Sequence, residues 1–423
     1  MTGILLIVGC LFVGQTESTP ADHGTEVRRL VRQLDAPQLD ARNAAEAKLI
    51  ELGPETLPLL PSPDSQQSAE VRQRLGRVRR ALEQKLAAAA VEPSRVTLHE
   101  KQAKLSRVLK EIERQTGNRI IDSREQFGRA SDPEVAVDFN KTPFWRAMDR
   151  VLDEAGLTVY PFGSERAVYL ADCPEGAVPM TRACCQTGPF LFVPVELTAK
   201  RLVNAANEGT LHLGMVVAWE PRLAPIGLTQ RLTEIQAIDE NGAALDVDVR
   251  LGALEVPVNP TATAVKLSIP FAVPPRDVQK IVRLTGTLDA LVPGPIETFR
   301  FTGLPAAKDV SRRVANATVT LQGMRKNDDI WEIEVRVRFE EAGDALASHR
   351  GWIFSNEAYL EGPDGKRVEN EGFETKMQTE NEVGVAYLFY LEDSPAKYTF
   401  VYKTPARIFT TRFKYEFQDL ELP

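Results

Sequence analysis

Histidine and cysteine are scarce in this chain, four of each among 423 residues, which leaves little material for metal clusters or nucleophile–base pairs. His23, His99, His212 and His349 stand apart from one another. His99-Glu100 begins like an H-E-x-x-H zinc site, but Ala103 occupies the position of the second ligand. No G-x-S-x-G elbow, Walker loop or dinucleotide glycine fingerprint is present. These absences remove the enzyme classes that announce themselves by motif and imply no cofactor. A hydrolase with scattered carboxylates survives, because its two acids need no proximity in sequence. Excess positive charge is lacking too: the net charge of -8 argues against a general nucleic-acid binder.

What is present is one pattern written twice, 39 residues apart, in residues 96–170. Val96 and Leu98 lead into a helical stripe of Leu105, Val108, Leu109 and Ile112, then Gly117 and Ile120. Val135 and Val137, then Phe144, Ala147, Met148 and Val151, then Gly156 and Val159 repeat it place for place. The stripes have amphipathic helical spacing, and the two glycines stand where left-handed C-terminal caps need no Cβ. Thr142-Pro143 reads as an N-cap and first-turn pair. The order is β-α-β-β-α-β with a further strand at Arg166 to Leu170, both helices expected on one face of a three- or four-stranded sheet.

The runs LSRVLKEIERQTGNRII and VAVDFNKTPFWRAMDRVLDEAGLTVY resemble the short N-terminal domain of secretins and of signal-transducing TonB-dependent receptors. The resemblance implies a periplasmic module that binds protein partners and carries no catalytic residues. Upstream, VRQLDAPQLDARNAAEAKLIELGPETLPLL is similar to a HEAT-type repeat, with room for at most one and a half repeats. A free-standing solenoid needs about three, so this segment reads as a helical arm. In the following helix Arg72, Arg74, Arg77, Arg79, Arg80 and Lys85 are expected on a solvated outer face, with Val71, Leu75, Val78, Leu82 and Leu86 turned inward.

Ile4 to Val13 has the length of a signal-peptide h-region and is too short to span a bilayer. Export is therefore expected, to the periplasm or cell surface, although no Lys or Arg precedes the run. Ile7-Val8-Gly9-Cys10 resembles the lipobox of bacterial lipoproteins, which would put a lipid on Cys10 and bring the chain to a membrane. In an oxidising compartment Cys173 has two candidate partners, Cys184 and Cys185. Either bridge closes a loop of about a dozen residues, worth about 2 to 3 kcal/mol. Zinc is not expected there, for want of a fourth ligand.

Beyond Cys185 short β-rich runs separated by proline and glycine predict two antiparallel sandwiches, and Phe409, Thr411, Phe413, Tyr415 and Phe417 form a closing strand with one buried face. The fold class is thus multidomain α+β and all-β. The parts are a signal or anchor segment at 1–20, the HEAT-like arm at 22–92, the split β-α-β-β-α-β module at 94–172, a cysteine-containing link at 173–187, and sandwiches at 188–305 and 310–423.

Two clusters hint at ligands. Asp239, Glu240, Asn241, Asp246 and Asp248 bracket a turn but lack the order of a calcium loop, so a solvated hairpin is the expectation. Trp352, Phe354, Tyr359 and Phe373, near His349 and Arg350, are either core of the last sandwich or an aromatic grip for carbohydrate or peptide. The function expected is an exported, non-enzymatic adaptor or structural protein of the cell envelope, which binds a protein partner through the α+β module. Carbohydrate or surface-polymer binding by the C-terminal sandwich is the alternative reading, and a hydrolase the third.

Overall fold

The computed structural model describes residues 20–61, 68–124, 131–182, 184–204, 209–340, 350–391 and 393–423. The N-terminal apolar run with Cys10, and His349, lie outside these residues. No helix among the described residues is long and apolar enough to cross a membrane. Two compact units are present, Met1–Ala88 and Ala89–Pro423.

In the first unit helices α1 (Pro20–Gln33), α2 (Leu39–Glu51) and α3 (Ala69–Val91) surround a core of Val27, Leu30, Leu34, Leu49, Leu75, Val78 and Leu82. Full burial of each such aliphatic contributes roughly 1.5–3 kcal/mol. The cations of α3 do not all face water. Arg74 is buried and meets Glu46 at 2.6 Å, Arg77 meets the same carboxylate, Arg79 donates to Leu60 O and Lys85 to Ile50 O. Glu46, a polar residue one helix away, draws Arg74 and Arg77 inward, and its carboxyl is held below the usual range, first by Arg77 and then by Arg74. The expectation of a wholly solvated cationic face is corrected accordingly.

The second unit opens with the doubled module: β1 (Arg95–Lys104), α4 (Leu105–Thr116), β2 (Ile120–Asp122), β3 (Glu134–Pro143), α5 (Phe144–Ala155), β4 (Leu157–Tyr160) and β5 (Val168–Asp172). The repeat is visible in the hydrogen bonds. Leu105 N donates to Pro133 O and Phe144 N to Ser94 O, a reciprocal exchange between positions 39 residues apart. The antiparallel β1–β3 ladder maps onto itself when its copies are swapped: Arg95↔Pro143 becomes Glu134↔Lys104, Val96↔Thr142 becomes Val135↔Ala103, and His99↔Asp138 is its own image. The pseudo-twofold axis therefore passes through the His99–Asp138 pair. Gly117 and Gly156 close the two helices with φ of 69° and 68°.

Two details differ from expectation. α5 begins at Phe144 with Pro143 at the N-cap and no side-chain cap bond, so Thr142 does not cap it; Ser94 O takes the first amide instead. The strands also form two sheets rather than one, β1–β3 and β2–β5–β4. β5 inserts between the two equivalent strands, parallel to β2 and antiparallel to β4, and so breaks the symmetry on that side.

The first sandwich uses β6 (Cys185–Thr187), β7 (Phe190–Arg201), β8 (Gly209–Trp219), β9 (Gly227–Arg231), β10 (Gln236–Asp239), β11 (Ala253–Pro257), β12 (Ala264–Ala272) and β13 (Lys280–Pro293). The second uses β14 (Ile296–Phe301), β15 (Val310–Val314), β16 (Ala317–Asn327), β17 (Ile330–Phe339), β18 (Ala358–Glu361), β19 (Arg367–Glu369), β20 (Gly372–Gln378), β21 (Glu382–Tyr390) and β22 (Thr399–Pro405), and the chain ends with β23 (Ile408–Glu421). Sheet β12–β8–β7–β6 faces sheet β10–β13–β9–β11, and sheet β14–β22–β18–β19 faces β15–β16–β17–β21–β20.

The expected boundaries of the sandwiches do not hold. β23 pairs with β13 in the first sandwich, while β14 pairs with β22 in the second. One unbroken antiparallel register runs from Lys280↔Glu421 to Phe301↔Phe400, so a single ribbon threads both. Phe413 packs on Phe190 with ring centroids 4.4 Å apart and Tyr415 stacks on Phe192 at 4.9 Å. Gly303, with φ of 68°, turns the chain close to the expected boundary but lies inside the second sandwich.

The module is not a separate bead. Its helical core is continuous with Leu191, Val193, Val216, Ala218 and Ala264 on the outer face of the β12–β8–β7–β6 sheet. Trp145 Nε1 donates to Pro189 O at 2.9 Å. A buried polar cluster bolts the same junction: the Glu220 carboxylate accepts from Ser94 N, Asn118 Nδ2 and Arg222 Nε.

Candidate functional site

The residues singled out from sequence are mostly tied into structure. Trp352 is 8% exposed and packs edge-on against Phe339 at 5.5 Å, in the core of the second sandwich. Phe354 stacks on Phe373 at 5.3 Å. Tyr359 lies on the outer face of its sheet under the Arg367 guanidinium, 3.9 Å from the ring centroid, and near Lys403. Buried Trp352 therefore offers no ring to a ligand, and Tyr359, covered by Arg367, stands apart from the Phe354–Phe373 stack. Ala358 and Leu360 take the inward positions beside Tyr359, as alternation along a strand requires.

The acidic turn is engaged in the same way. Asp239 Oδ1 accepts from Asn241 N and Ala243 N, Glu240 from Gln279 N and Lys280 N, and Asp248 is forked by Arg250. The Asp248 carboxyl is lowered to about 2, first by the Arg250 side chain. His99 Nδ1 lies 2.5 Å from Asp138 Oδ1, and His212 contacts Ser268 Oγ at 3.2 Å.

Cys173, Cys184 and Cys185 are free thiols, so the expected bridge from Cys173 to Cys184 or Cys185 is absent. Neighbouring residues of an extended segment point to opposite sides. Cys184 accordingly packs on the module core and Cys185 on the sandwich core, each held away for its own contacts. Cys184 Sγ donates to Thr181 O, and burial pushes this thiol up to about 11, which keeps it protonated and inert at neutral pH.

The feature that sequence reasoning missed lies where the seam between module and sandwich opens to solvent. A groove of about 570 Å³ is lined by Thr158 of β4 and Pro161 and Phe162 just after it, by Cys173, Val178 and Met180 of the link, and by Val193, Val195 and Val216 of the sandwich. Phe162 is 48% exposed, Val178 62% and Val195 46%; Tyr160, 51% exposed, packs edge-on against Phe162. Val195 is there because of a bulge. Pro194 pairs with Met215 and Glu196 with Gly214, which leaves Val195 as the unpaired extra residue on β7. The missing side chain at Gly214 gives Glu196 its room, since a Cβ there would lie 2.6 Å from Glu196 Cγ. Glu196 in turn pairs with Lys266 at 2.8 Å on the groove wall. The one signal in the sequence was the set of apolar residues, Val178 and Met180, inside a proline- and glycine-containing link.

No family model matches the sequence, and no curated protein matches it.

Proposed function

We propose that this protein is an exported, non-enzymatic adaptor of the cell envelope that binds a protein partner through the α+β module. The likeness of residues 96–170 to the secretin and TonB-receptor short domain supports the envelope setting and the adaptor role. The observation that carries the binding is the gathering of Phe162, Val178 and Val195, each about half exposed or more, around one groove at the rim of the module, with half-exposed Tyr160 packed on Phe162. Single exposed apolar residues need no explanation, whereas a contiguous patch marks an interaction surface. The non-enzymatic part is supported by the acidic turn, where the Asp239 and Glu240 carboxylates accept from backbone amides, and by His99, whose Nδ1 is taken up by Asp138.

The test is cross-linking. The full chain carrying a photo-reactive residue at Val178 is expected to form adducts with one protein of an envelope fraction, and the same residue at Arg95 to form none. Absence of adducts at Val178, together with retention of a glycan by the chain, overturns the adaptor reading.

A further inference from the structure

Resting on the adaptor reading, we infer that the groove takes an extended, uncharged peptide segment of the partner, with an apolar side chain at every second position, laid beside β4. Three observations on the groove point to this occupant. Its floor is continuous with an interface already made, since Val193, Val216 and Met180 belong to the apolar cluster that joins module to sandwich. An occupant with aliphatic or aromatic side chains extends that contact outward, covering Phe162, Val178 and Val195.

Charge is the second observation. Among the described residues, the only ionisable side chains with full charge in the lining are Glu196 and Lys266, and they neutralise each other. A charged group entering this lining loses water without gaining a partner, which disfavours acidic and basic ligands alike.

The third is the border. β4, which supplies Thr158 and leads directly into Pro161 and Phe162, is an outermost strand in the order β2–β5–β4. A strand laid beside an edge receives main-chain hydrogen bonds while alternate side chains drop into adjoining pockets. Such recognition combines an apolar groove with an outermost strand, which the link touches only through Met180 N donating to Thr158 Oγ1 among the described hydrogen bonds, and it needs no polar side-chain motif, in keeping with the lack of one in the sequence.

The probe is a fluorescein-labelled, end-blocked decapeptide of alternating valine and threonine, titrated by anisotropy into the full chain, with a lysine-for-valine peptide as control. Saturable binding of the first peptide and not the second is expected. Val195→Asp and Val178→Asp, both at exposed positions, are each expected to weaken it at least about tenfold with an unchanged circular dichroism spectrum. Bound peptide is also expected to slow alkylation of Cys173, followed by mass spectrometry of its own fragment, because that thiol lines the groove. The inference is overturned by equal affinity for the lysine peptide, by binding insensitive to both substitutions, by preferential occupation by a fluorescent fatty acid, or by a dimer of this chain that Val195→Asp dissociates. Adducts at Val178 with an envelope protein alongside failure of the valine–threonine peptide overturn the peptide chemistry and leave the adaptor reading standing. Peptide binding without any adducts does the reverse.

Discussion

Glu220 and Glu332 show how much a single carboxylate can hold when it is buried among donors. Glu220 is fully buried and serves Ser94 N, Asn118 Nδ2 and Arg222 Nε at once, with Arg222 at 2.6 Å. Glu220→Ala removes the acceptor that these three donors share and is expected to cost about 3 to 5 kcal/mol in urea unfolding, whereas Glu220→Gln costs less because it keeps an acceptor oxygen. Glu332 has its carboxyl lowered to about 2, chiefly by the Arg325 side chain, with Lys376 adding to it. A depressed carboxyl contributes stability that is complete above its unfolded value of 4.5 and is lost as pH falls from there through about 2. The linked amount is on the order of 3 kcal/mol. Unfolding free energies measured between pH 5 and 2 are therefore expected to fall less steeply in Glu332→Gln than in the parent chain; equal slopes would refute the linkage.

At the level of elements, the doubled module was legible because its information is local. Helical stripes, capping glycines and strand alternation each occupy a few consecutive residues, and the 39-residue repeat aligned them. Its two sheets and its dependence on the sandwich were not legible, since Leu191, Val193 and Val216 read equally well as one face of an ordinary strand. A chain ending at residue 172 loses these residues and the Trp145–Pro189 bond. It is expected to unfold at lower urea than the module does within the full chain, or to expose apolar surface that binds a hydrophobic dye. Trp145→Phe keeps the ring and loses the hydrogen bond, and is expected to cost about 1 kcal/mol by denaturation. Trp145→Ala, which empties a fully packed site, is expected to cost about 3 to 5 kcal/mol.

For the molecule as a whole, the ribbon of β13–β14 with β22–β23 makes the two sandwiches one cooperative body. Residues 188–305 alone lack Phe413, Tyr415 and Phe417, which fill the first core, and strand their β14 without β22. Such a fragment is expected to give no cooperative thermal transition by calorimetry. In the full chain, fluorescence of Trp219 in the first core and of Trp352 in the second is expected to change at one common denaturant midpoint when each is observed in a variant lacking the other tryptophans. Separate midpoints would show that the ribbon does not couple the halves.

The sequence by itself determined what depends on neighbours along the chain: the helices of the arm, the repeated helix stripes and their glycine ends, the β-rich character beyond Cys185, and the buried face of the closing strand. Only the tertiary structure decided which sandwich that strand completes, that Glu46 draws Arg74 and Arg77 inward, that Cys184 and Cys185 serve different cores, and that Phe162, Val178 and Val195 meet around one groove. The physical reason is the same in each case. Propensity, capping and amphipathic period act over a turn or two of chain, whereas sheet pairing and side-chain contact are chosen among segments up to hundreds of residues apart, and an alternating strand presents the same pattern to every edge that could accept it.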